Sequence, residues 1–228
     1  MKINRRALRE AFTRSLPILC SYLFIGTAYG VLMSEKGFAW YVSLLISGAV
    51  YTGAFQFVLI TFLAADAPVS VVALTALLMN SRQAFYSLSF VDEFRRMGRR
   101  EPWMIFSMTD ETYAVNCALP RELPDRSDVT YYLAILSYLY WQAGTLLGAL
   151  AGQVIPWDLT GIDFCMTALF VILLIDQWEK ADSHLPSLCG AGIALVCLAI
   201  FGASSFMLPA LLATSAVLVA WNRKGARA

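Results

Sequence analysis

Two groups of polar and charged residues lie inside stretches that are otherwise apolar enough for a lipid bilayer. Asn80 and Arg82 fall within the run LLMNSRQAFYS, and Asp110 and Glu111 fall within FSMTDETYAV. An ionisable side chain at membrane depth costs roughly 3 kcal/mol even on lenient insertion scales. These groups therefore need partners, water or a function, and they are the first candidates for chemistry in this chain.

Asp110 and Glu111 are candidates for proton transfer. Adjacent residues on a helix point about 100° apart, so the two acids face different surroundings. A carboxyl that is buried without a cation favours its protonated form, and a second carboxyl nearby adds to that preference. Thr109 and Tyr113 add hydroxyl groups to the same segment. The sequence does not distinguish which acid titrates.

Asn80, Arg82 and Tyr86 suggest contacts with a carboxylate. The planar guanidinium of Arg82 fits such a group, whether it belongs to Asp110, to Glu111 or to a bound amino acid. Asn80 and Arg82 are two residues apart, so either the backbone is irregular here or the two groups serve different neighbours. Tyr86 lies one turn beyond Arg82 on the same side. A purely structural ion pair of Arg82 with an acid is the alternative.

The segment SGAVYTGAFQF places Gly53 and Gln56 in a third candidate position. If the helix breaks near Gly53, exposed backbone groups can bind the carboxylate or ammonium of a zwitterion, with the Gln56 amide beside them. If it does not break, a neighbouring helix satisfies Gln56. Both readings remain open from the sequence.

The composition is that of an integral membrane protein. Of the 228 residues, 59% are hydrophobic and 14% are charged, and the mean hydropathy is +0.63, whereas soluble domains carry about 25% charged residues. The net charge of +1 gives no support for nucleic-acid binding. The five cysteines occur singly in apolar runs, which predicts small buried residues rather than metal ligands.

Eight apolar segments predict an all-α polytopic helical bundle, because a membrane-spanning helix needs about 20 apolar residues. The segments are Ser15 to Met33, Trp40 to Ala65, Val69 to Phe90, Pro102 to Leu119, Val129 to Ile155, Gly161 to Trp178, Pro186 to Gly202 and Ser205 to Trp221. Short connectors leave one transmembrane domain, residues 15–221, between a basic N-terminal segment, 1–14, and a basic tail, 222–228.

Simple counting of these segments conflicts with the positive-inside rule. The basic N-terminal segment predicts a cytoplasmic N-terminus. If every segment then crossed once, the RRMGRR stretch at 95–100 would lie outside. We therefore expect that Trp40 to Ala65 is not a plain crossing but two half-helices. Keeping the basic tail inside as well requires a second irregular segment, which leaves seven or eight crossings.

Small residues predict close helix packing. Gly144, Gly148 and Gly152 recur every four residues on one helix face, and Gly26 and Gly30 do the same on another. Such stripes let neighbouring backbones approach each other. We interpret them as helix contacts rather than ligand contacts.

Motifs of the common hydrolases, kinases and metalloenzymes are missing from the sequence, so no enzyme, metal or other cofactor is predicted. Secondary transport is the simplest account of buried polar groups in a membrane chain. The rivals are a transporter or channel for another small neutral solute and a non-transporting scaffold whose charges only pair helices.

Several motifs together resemble the large subunit of the branched-chain amino-acid exporter family, the AzlC or YgaZ type. They are GTAYGVL at 26–32, YTGAFQF at 51–57, NSRQAFYS at 80–87, TDETYA at 109–114, YWQAGTLLGALAG at 140–152 and TGIDFCMTALF at 160–170. The polar motif positions are Gln56, Asn80, Arg82, Thr109, Asp110 and Glu111. Phe55 and Gln83 depart from the family pattern and bear on substrate choice.

The resemblance implies a proton-driven exporter in the prokaryotic cytoplasmic membrane. Its expected substrates are valine, leucine, isoleucine and sometimes methionine. It also implies a small hydrophobic partner subunit of the AzlD or YgaH type. In that reading Gln56, Asn80 and Arg82 engage the backbone groups of the amino acid, and Asp110 or Glu111 couples protons.

Overall fold

The fold is described from a computed structural model, and every secondary-structure element in its described part is helical. The structure describes residues 4–154, 171, 174–175, 178–179, 183–202 and 206–225. The helices are α1 (Arg5–Glu35), α2 (Trp40–Val50), α3 (Gly53–Ala64), α4 (Val69–Ser89), α5 (Val91–Arg96), a short 3₁₀ helix (Gly98–Arg100), α6 (Glu101–Phe106), α7 (Asp110–Ala118), α8 (Arg126–Val154), α9 (Leu185–Phe201) and α10 (Met207–Gly225).

The chain forms two compact units. The first comprises residues 1–65 and 80–163, and the second comprises 66–79 and 164–228. Within the described part of the second unit, α9 packs against α10, and Gly190 of α9 lies next to Thr214. The predicted segment Gly161 to Trp178, with the TGIDFCMTALF motif, lies mostly outside the described residues, as does the side chain of Arg82.

Helices α1 and α8 form the centre of the first unit, where their glycines lie in direct backbone contact. A methyl group added at Gly26 would lie 3.1 Å from the carbonyl oxygen of Trp141, and one at Gly144 would lie 2.8 Å from that of Tyr22. One added at Gly148 would overlap the carbonyl of Thr27. Both helices are long and apolar enough to cross a membrane. These glycines therefore allow the backbones of α1 and α8 to approach more closely than any larger residue would permit.

Helices α2 and α3 form a hairpin instead of one continuous helix, and the predicted break in this segment is confirmed. Near the end of α2, the Ser47 hydroxyl lies 2.9 Å from the Thr145 hydroxyl of α8. The ring of Tyr51 then lies 5.0 Å from that of Tyr138, two turns nearer the beginning of α8. Helix α2 thus runs antiparallel to α8 and stops beside the middle of that helix.

Helix α3 returns towards the end from which α2 entered. Gly53, its first residue, lies beside the ring of Trp141, which in turn contacts Tyr22 of α1. One turn later, the ring of Phe57 lies 5.9 Å from that of Tyr29, further along α1. The segment is therefore re-entrant, because it enters and leaves at the same end of the unit.

A second hairpin enters from the opposite end, and here the prediction of one continuous helix over Pro102 to Leu119 is wrong. Helix α6 ends at Phe106, whose ring lies 6.4 Å from that of Tyr138. Helix α7 begins at Asp110 and runs back. The Thr109 hydroxyl caps it by accepting a hydrogen bond from the backbone N–H of Thr112, so a side-chain cap, and not glycine or proline, sets the break.

Polar contacts join the beginnings of α1, α6 and α8 at one end of the unit. The Asn4 backbone N–H donates to the Tyr132 hydroxyl at 3.2 Å, and the Asn4 amide donates to Asp128 at 3.4 Å. Arg100 forms an ion pair with the same Asp128 at 2.6 Å and lies over the ring of Tyr131. The basic RRMGRR stretch and the chain's N-terminal segment therefore lie at the same end.

Arg126 fastens the base of the second hairpin at this end. Its guanidinium donates to the backbone carbonyl of Asn116 in the last turn of α7 and to those of Leu119 and Pro120 just after it, at 2.6–3.1 Å. It also pairs with Glu93 of α5 at 3.0 Å. A cation is favoured at a helix C-terminus, where carbonyl groups lack partners within the helix.

Large apolar side chains are exposed on the surface of the described residues, and the interior holds polar side chains among its apolar core. Phe24, Leu45 and Val69 are 78%, 70% and 82% exposed, whereas several serines and threonines are fully buried. The prediction that the cysteines are buried holds for Cys197 but is wrong for Cys20 and Cys117, which are exposed. In a membrane, an exposed cysteine on an apolar face contacts lipid, so burial in protein is not required.

Replacement of Gly148 by alanine tests the contact between α1 and α8. The added methyl group would meet the Thr27 backbone, which cannot rotate away, so we expect a loss of about 1–3 kcal/mol. Thermal unfolding of the purified protein measures the effect. Gly192→Ala on α9 is the matched control, because among the described residues no atom outside its own helix backbone lies within 4 Å of its added methyl group. Equal unfolding midpoints for the two variants would contradict the packing.

Labelling of single introduced cysteines from either side of the membrane tests the re-entrant arrangement. In a variant without native cysteines, Arg99→Cys and Ser127→Cys should react from one side and Lys36→Cys from the other. The reason is that α1, whose 31 residues span about 45 Å, separates Lys36 from the Asn4 and Asp128 cluster. Labelling of Arg99→Cys and Lys36→Cys from the same side would disprove this topology.

Candidate functional site

The tips of the two hairpins meet in the interior of the first unit. At the first tip, Tyr51 has left-handed backbone angles, with φ of 42° and ψ of 47°. Such a conformation is strained for an aromatic residue and persists only where the surroundings enforce it. The Tyr51 ring lies 6.0 Å from that of Phe106, which ends α6 just before the second tip. Two interrupted helices therefore share one buried location.

A hydrogen-bond chain links the second tip to α1. The Tyr22 hydroxyl donates to Oε2 of Glu111 at 2.7 Å and lies 2.6 Å from the Thr109 hydroxyl. Because the Tyr22 hydroxyl has only one hydrogen, Thr109 donates to Tyr22. The Glu111 carboxyl, which is half-buried, is thus held at the start of α7, where the positive end of the helix dipole favours negative charge.

The region around the first tip contains buried polar groups without hydrogen-bond partners in the described structure. Both polar atoms of the Gln56 amide, the hydroxyls of Tyr29 and Thr52 and the indole nitrogen of Trp141 are among them. The Tyr29 hydroxyl lies near the Gln56 amide but does not reach hydrogen-bond geometry. Each such group costs about 1–3 kcal/mol if it stays unpaired. The Gln56, Thr52 and Tyr29 groups lie on or beside the first turn of α3, where water or a polar ligand would satisfy them.

Aromatic rings enclose this region. Trp141 lies edge-on to Tyr22, with ring centroids 5.2 Å apart, and parallel to Tyr29 at 6.5 Å. Gly53 lies against the Trp141 ring. A methyl group added at Gly53 would be 3.6 Å from that ring, an ordinary van der Waals distance. The polar groups at the hairpin tips and these aromatic rings therefore lie in the same part of the interior.

The structure brings together part of the predicted site. Gly53, Gln56, Thr109 and Glu111 all lie at the hairpin tips, with Gln56 fully buried. Asp110 shares the first turn of α7 with Glu111 and is half-buried.

Tyr113 and Tyr86 lie on a different surface of the unit. They stack on each other with centroids 4.3 Å apart, within an apolar cluster around Phe94 and Met104. Asn80 and Arg82 lie on an uninterrupted α4, so the alternative of an irregular backbone is wrong. The two positions, two residues apart, lie on different faces of that helix.

Four residues of the site, Tyr22, Tyr29, Tyr51 and Trp141, were not among the predicted site residues. Each lies in an apolar run, where an aromatic side chain is usually part of the core. The available signal was the tyrosine spacing: Tyr22 and Tyr29 are seven residues apart, so they lie on the same face of α1. Within the described residues, no group of three or more His, Cys, Asp or Glu side chains is placed to hold a metal ion.

This architecture defines a class of protein, the polytopic α-helical membrane proteins that contain discontinuous helices. The particular family follows from sequence comparison. The AzlC protein family matches residues 17–155, and the chain belongs to that family.

Relatives share most of their length with this chain. A Bacillus subtilis (strain 168) protein named "Branched-chain amino acid transport protein AzlC" is 35% identical over 215 residues, covering 93% of this chain and 84% of the relative. An "Uncharacterized membrane protein" of Helicobacter pylori (strain J99) is 35% identical over 220 residues, 96% of each chain. "Inner membrane protein YgaZ" of Escherichia coli (strain K12) is 29% identical over 182 residues, 76% of this chain and 74% of that protein. No solved structure gives a significant match.

Replacement of Tyr22 by phenylalanine tests the hydrogen-bond chain. It removes the donor to Glu111 and the acceptor for Thr109, so we expect a loss of about 1.5–3 kcal/mol, the range for bonds to charged groups. Tyr140→Phe, which removes a neutral bond to Ser15 at 3.1 Å, should cost about 1 kcal/mol. Thermal unfolding midpoints compare the two, and a larger loss in Tyr140→Phe would contradict the assignment.

Proposed function

We propose that this chain is the large subunit of a secondary exporter of branched-chain amino acids in the prokaryotic cytoplasmic membrane, with its N-terminus in the cytoplasm. The observation that carries the proposal is the meeting of two re-entrant hairpins from opposite ends at a buried set of unpartnered polar groups. Sites of this kind, at interrupted helices near the membrane midplane, are typical of secondary transporters. The name of the Bacillus relative supports the substrate class.

The chemistry of the site suits an aliphatic amino acid. Rings of Tyr29, Phe57 and Trp141 provide apolar surface for the side chain of valine, leucine or isoleucine, and sometimes methionine. The polar groups at the tips face the same region and are left for the zwitterionic backbone. Helix α3 contains no ionisable residue. A substrate with a charged side chain would therefore find no counter-ion on this helix.

Glu111 is the proposed site of proton coupling. Its carboxyl contacts Tyr22 at 2.7 Å and is also within electrostatic reach of the Tyr51 phenol at the other hairpin tip. A proton arriving at Glu111 would change the charge at the meeting point of both hairpins. Protonation and substrate binding would then act on the same movable elements.

Asp110 is the second candidate for proton transfer. The remaining predicted residues are proposed to act away from the hairpin tips. Asn80, Arg82, Tyr86 and Tyr113 would line the path that leads to the tips, where the Arg82 guanidinium suits a passing carboxylate. A small hydrophobic subunit of the AzlD or YgaH type is the proposed partner, as the family resemblance implies.

Export from dipeptide-loaded cells tests the proposal. Cells receive dipeptides of valine, leucine, isoleucine or methionine, and the free amino acid outside is followed with this chain alone, with the candidate small subunit and with neither. Faster release that stops when the proton gradient is dissipated is the expected result. No change with the protein verified in the membrane would overturn the export proposal. Release of unrelated neutral solutes instead would favour the rival transporter.

In the same assay, Glu111→Gln should reduce gradient-driven export to the level of cells without the protein, because the amide cannot carry the proton. Glu10→Gln is the matched control, since in the described structure Glu10 forms a partly exposed pair with Arg14 of the same helix, away from the hairpin tips. Membrane levels of both variants are compared with the unmodified protein. Normal export by Glu111→Gln would remove Glu111 from the coupling mechanism and leave Asp110 as the candidate.

A further inference from the structure

We infer that the first turn of α3 is a carboxylate-binding subsite, at which the backbone N–H groups, Thr52, Gln56 and Tyr29 hold the carboxylate of the transported amino acid. This inference deepens the proposed function and rests on it. None of the comparisons or motifs assigns a role to Thr52 or Tyr29.

The unpartnered groups here are mainly hydrogen-bond donors. The backbone N–H groups at a helix N-terminus can only donate, and the two hydroxyls and the Gln56 NH₂ group can donate as well. The Gln56 side-chain oxygen is the one unpartnered atom of the set that can only accept. An ammonium group, which has no acceptor capacity, could not satisfy the backbone N–H groups. The matching ligand is an acceptor, and in an amino acid that group is the carboxylate.

The two hairpin tips differ in how their helix N-termini are satisfied. At α7, the Thr109 and Thr112 side chains form a reciprocal capping box and two acids occupy the first turn. At α3, Thr52 stands at the cap position but makes no side-chain hydrogen bond, and the first turn has no acid. The positive end of the α3 dipole is therefore left without a negative group from its own helix.

Burial makes this difference significant. Gln56 and Tyr29 are fully buried, and Thr52 is only 8% exposed, so bulk water does not satisfy their polar atoms. In lipid or in a dry protein interior, unsatisfied donors favour an anion strongly because the local dielectric constant is low. The surrounding rings of Phe57 and Trp141 place apolar surface beside the carboxylate, as an aliphatic amino acid requires.

Ligand competition separates the carboxylate subsite from other contacts. Radiolabelled leucine is bound to the full-length protein in lipid nanodiscs, with its small subunit if export requires one. The competitors are 4-methylpentanoate, which keeps the carboxylate and lacks the amine, and leucinamide, which keeps the amine and lacks the carboxylate. The variants are Thr52→Val and Tyr29→Phe, each of which removes only a hydroxyl group.

The expected result is that both variants weaken binding of leucine and of 4-methylpentanoate by about tenfold or more, the effect of a lost bond to a charged group. Binding of leucinamide should stay the same. The controls are Thr61→Val, on the same helix but bonded to Val58 at its far end, and Tyr41→Phe, on the exposed face of α2. Both should bind all three ligands as the unmodified protein does.

Two results would overturn the inference while leaving the proposed function intact. One is unchanged leucine binding in Thr52→Val and Tyr29→Phe, which would mean that trapped water satisfies these groups. The other is an equal loss for leucine and leucinamide, which would mean a general change in the site. If the unmodified protein neither binds leucine nor exports it, the proposed function fails and the inference fails with it.

Discussion

Backbone groups inside a membrane must find hydrogen-bond partners within the protein, and this constraint governs the whole of the first unit. Two helices are interrupted in its interior, at Tyr51–Thr52 and at Ser107–Thr109, where backbone groups lose their regular partners. Such breaks are stable only if protein, not lipid, surrounds them. The glycine contact between α1 and α8 provides that enclosure, because it lets the two long helices approach closely and present Tyr22, Tyr29 and Trp141 to both breaks.

The sequence predicted the helical class, most helix bounds and one of the two breaks. Gly48 and Gly53 flank the first break, and glycine close to polar residues in an apolar run is a recognisable signal. The second break carries no glycine or proline, because a Thr109 side-chain cap ends the irregular turn instead. Threonine is also common inside membrane helices, so its capping role depends on the tertiary position of the turn and could not be read from the segment FSMTDET.

The candidate site was predicted in its acidic and amide members but not in its aromatic ones. Gln56 and Glu111 stand out because polar groups in lipid are rare. Tyr22 and Trp141 do not, since apolar surroundings explain them equally well. Their role becomes visible only when α1 and α8 are placed side by side and the Tyr22 hydroxyl is found 2.7 Å from Glu111. The positive-inside conflict at RRMGRR, in contrast, was informative, since an extra re-entrant segment is what resolves it.

Arg126 has a mechanical consequence for access to the site. One guanidinium ties the last turn of α7 to α8, on which it resides, and to Glu93 of α5. The base of the second hairpin therefore cannot shift by itself without breaking several charge-assisted bonds at once. A passage that opens towards this end therefore requires the bonds of Arg126 to break or α5, α7 and α8 to move together, and α8 is itself held against α1 by the glycine contact.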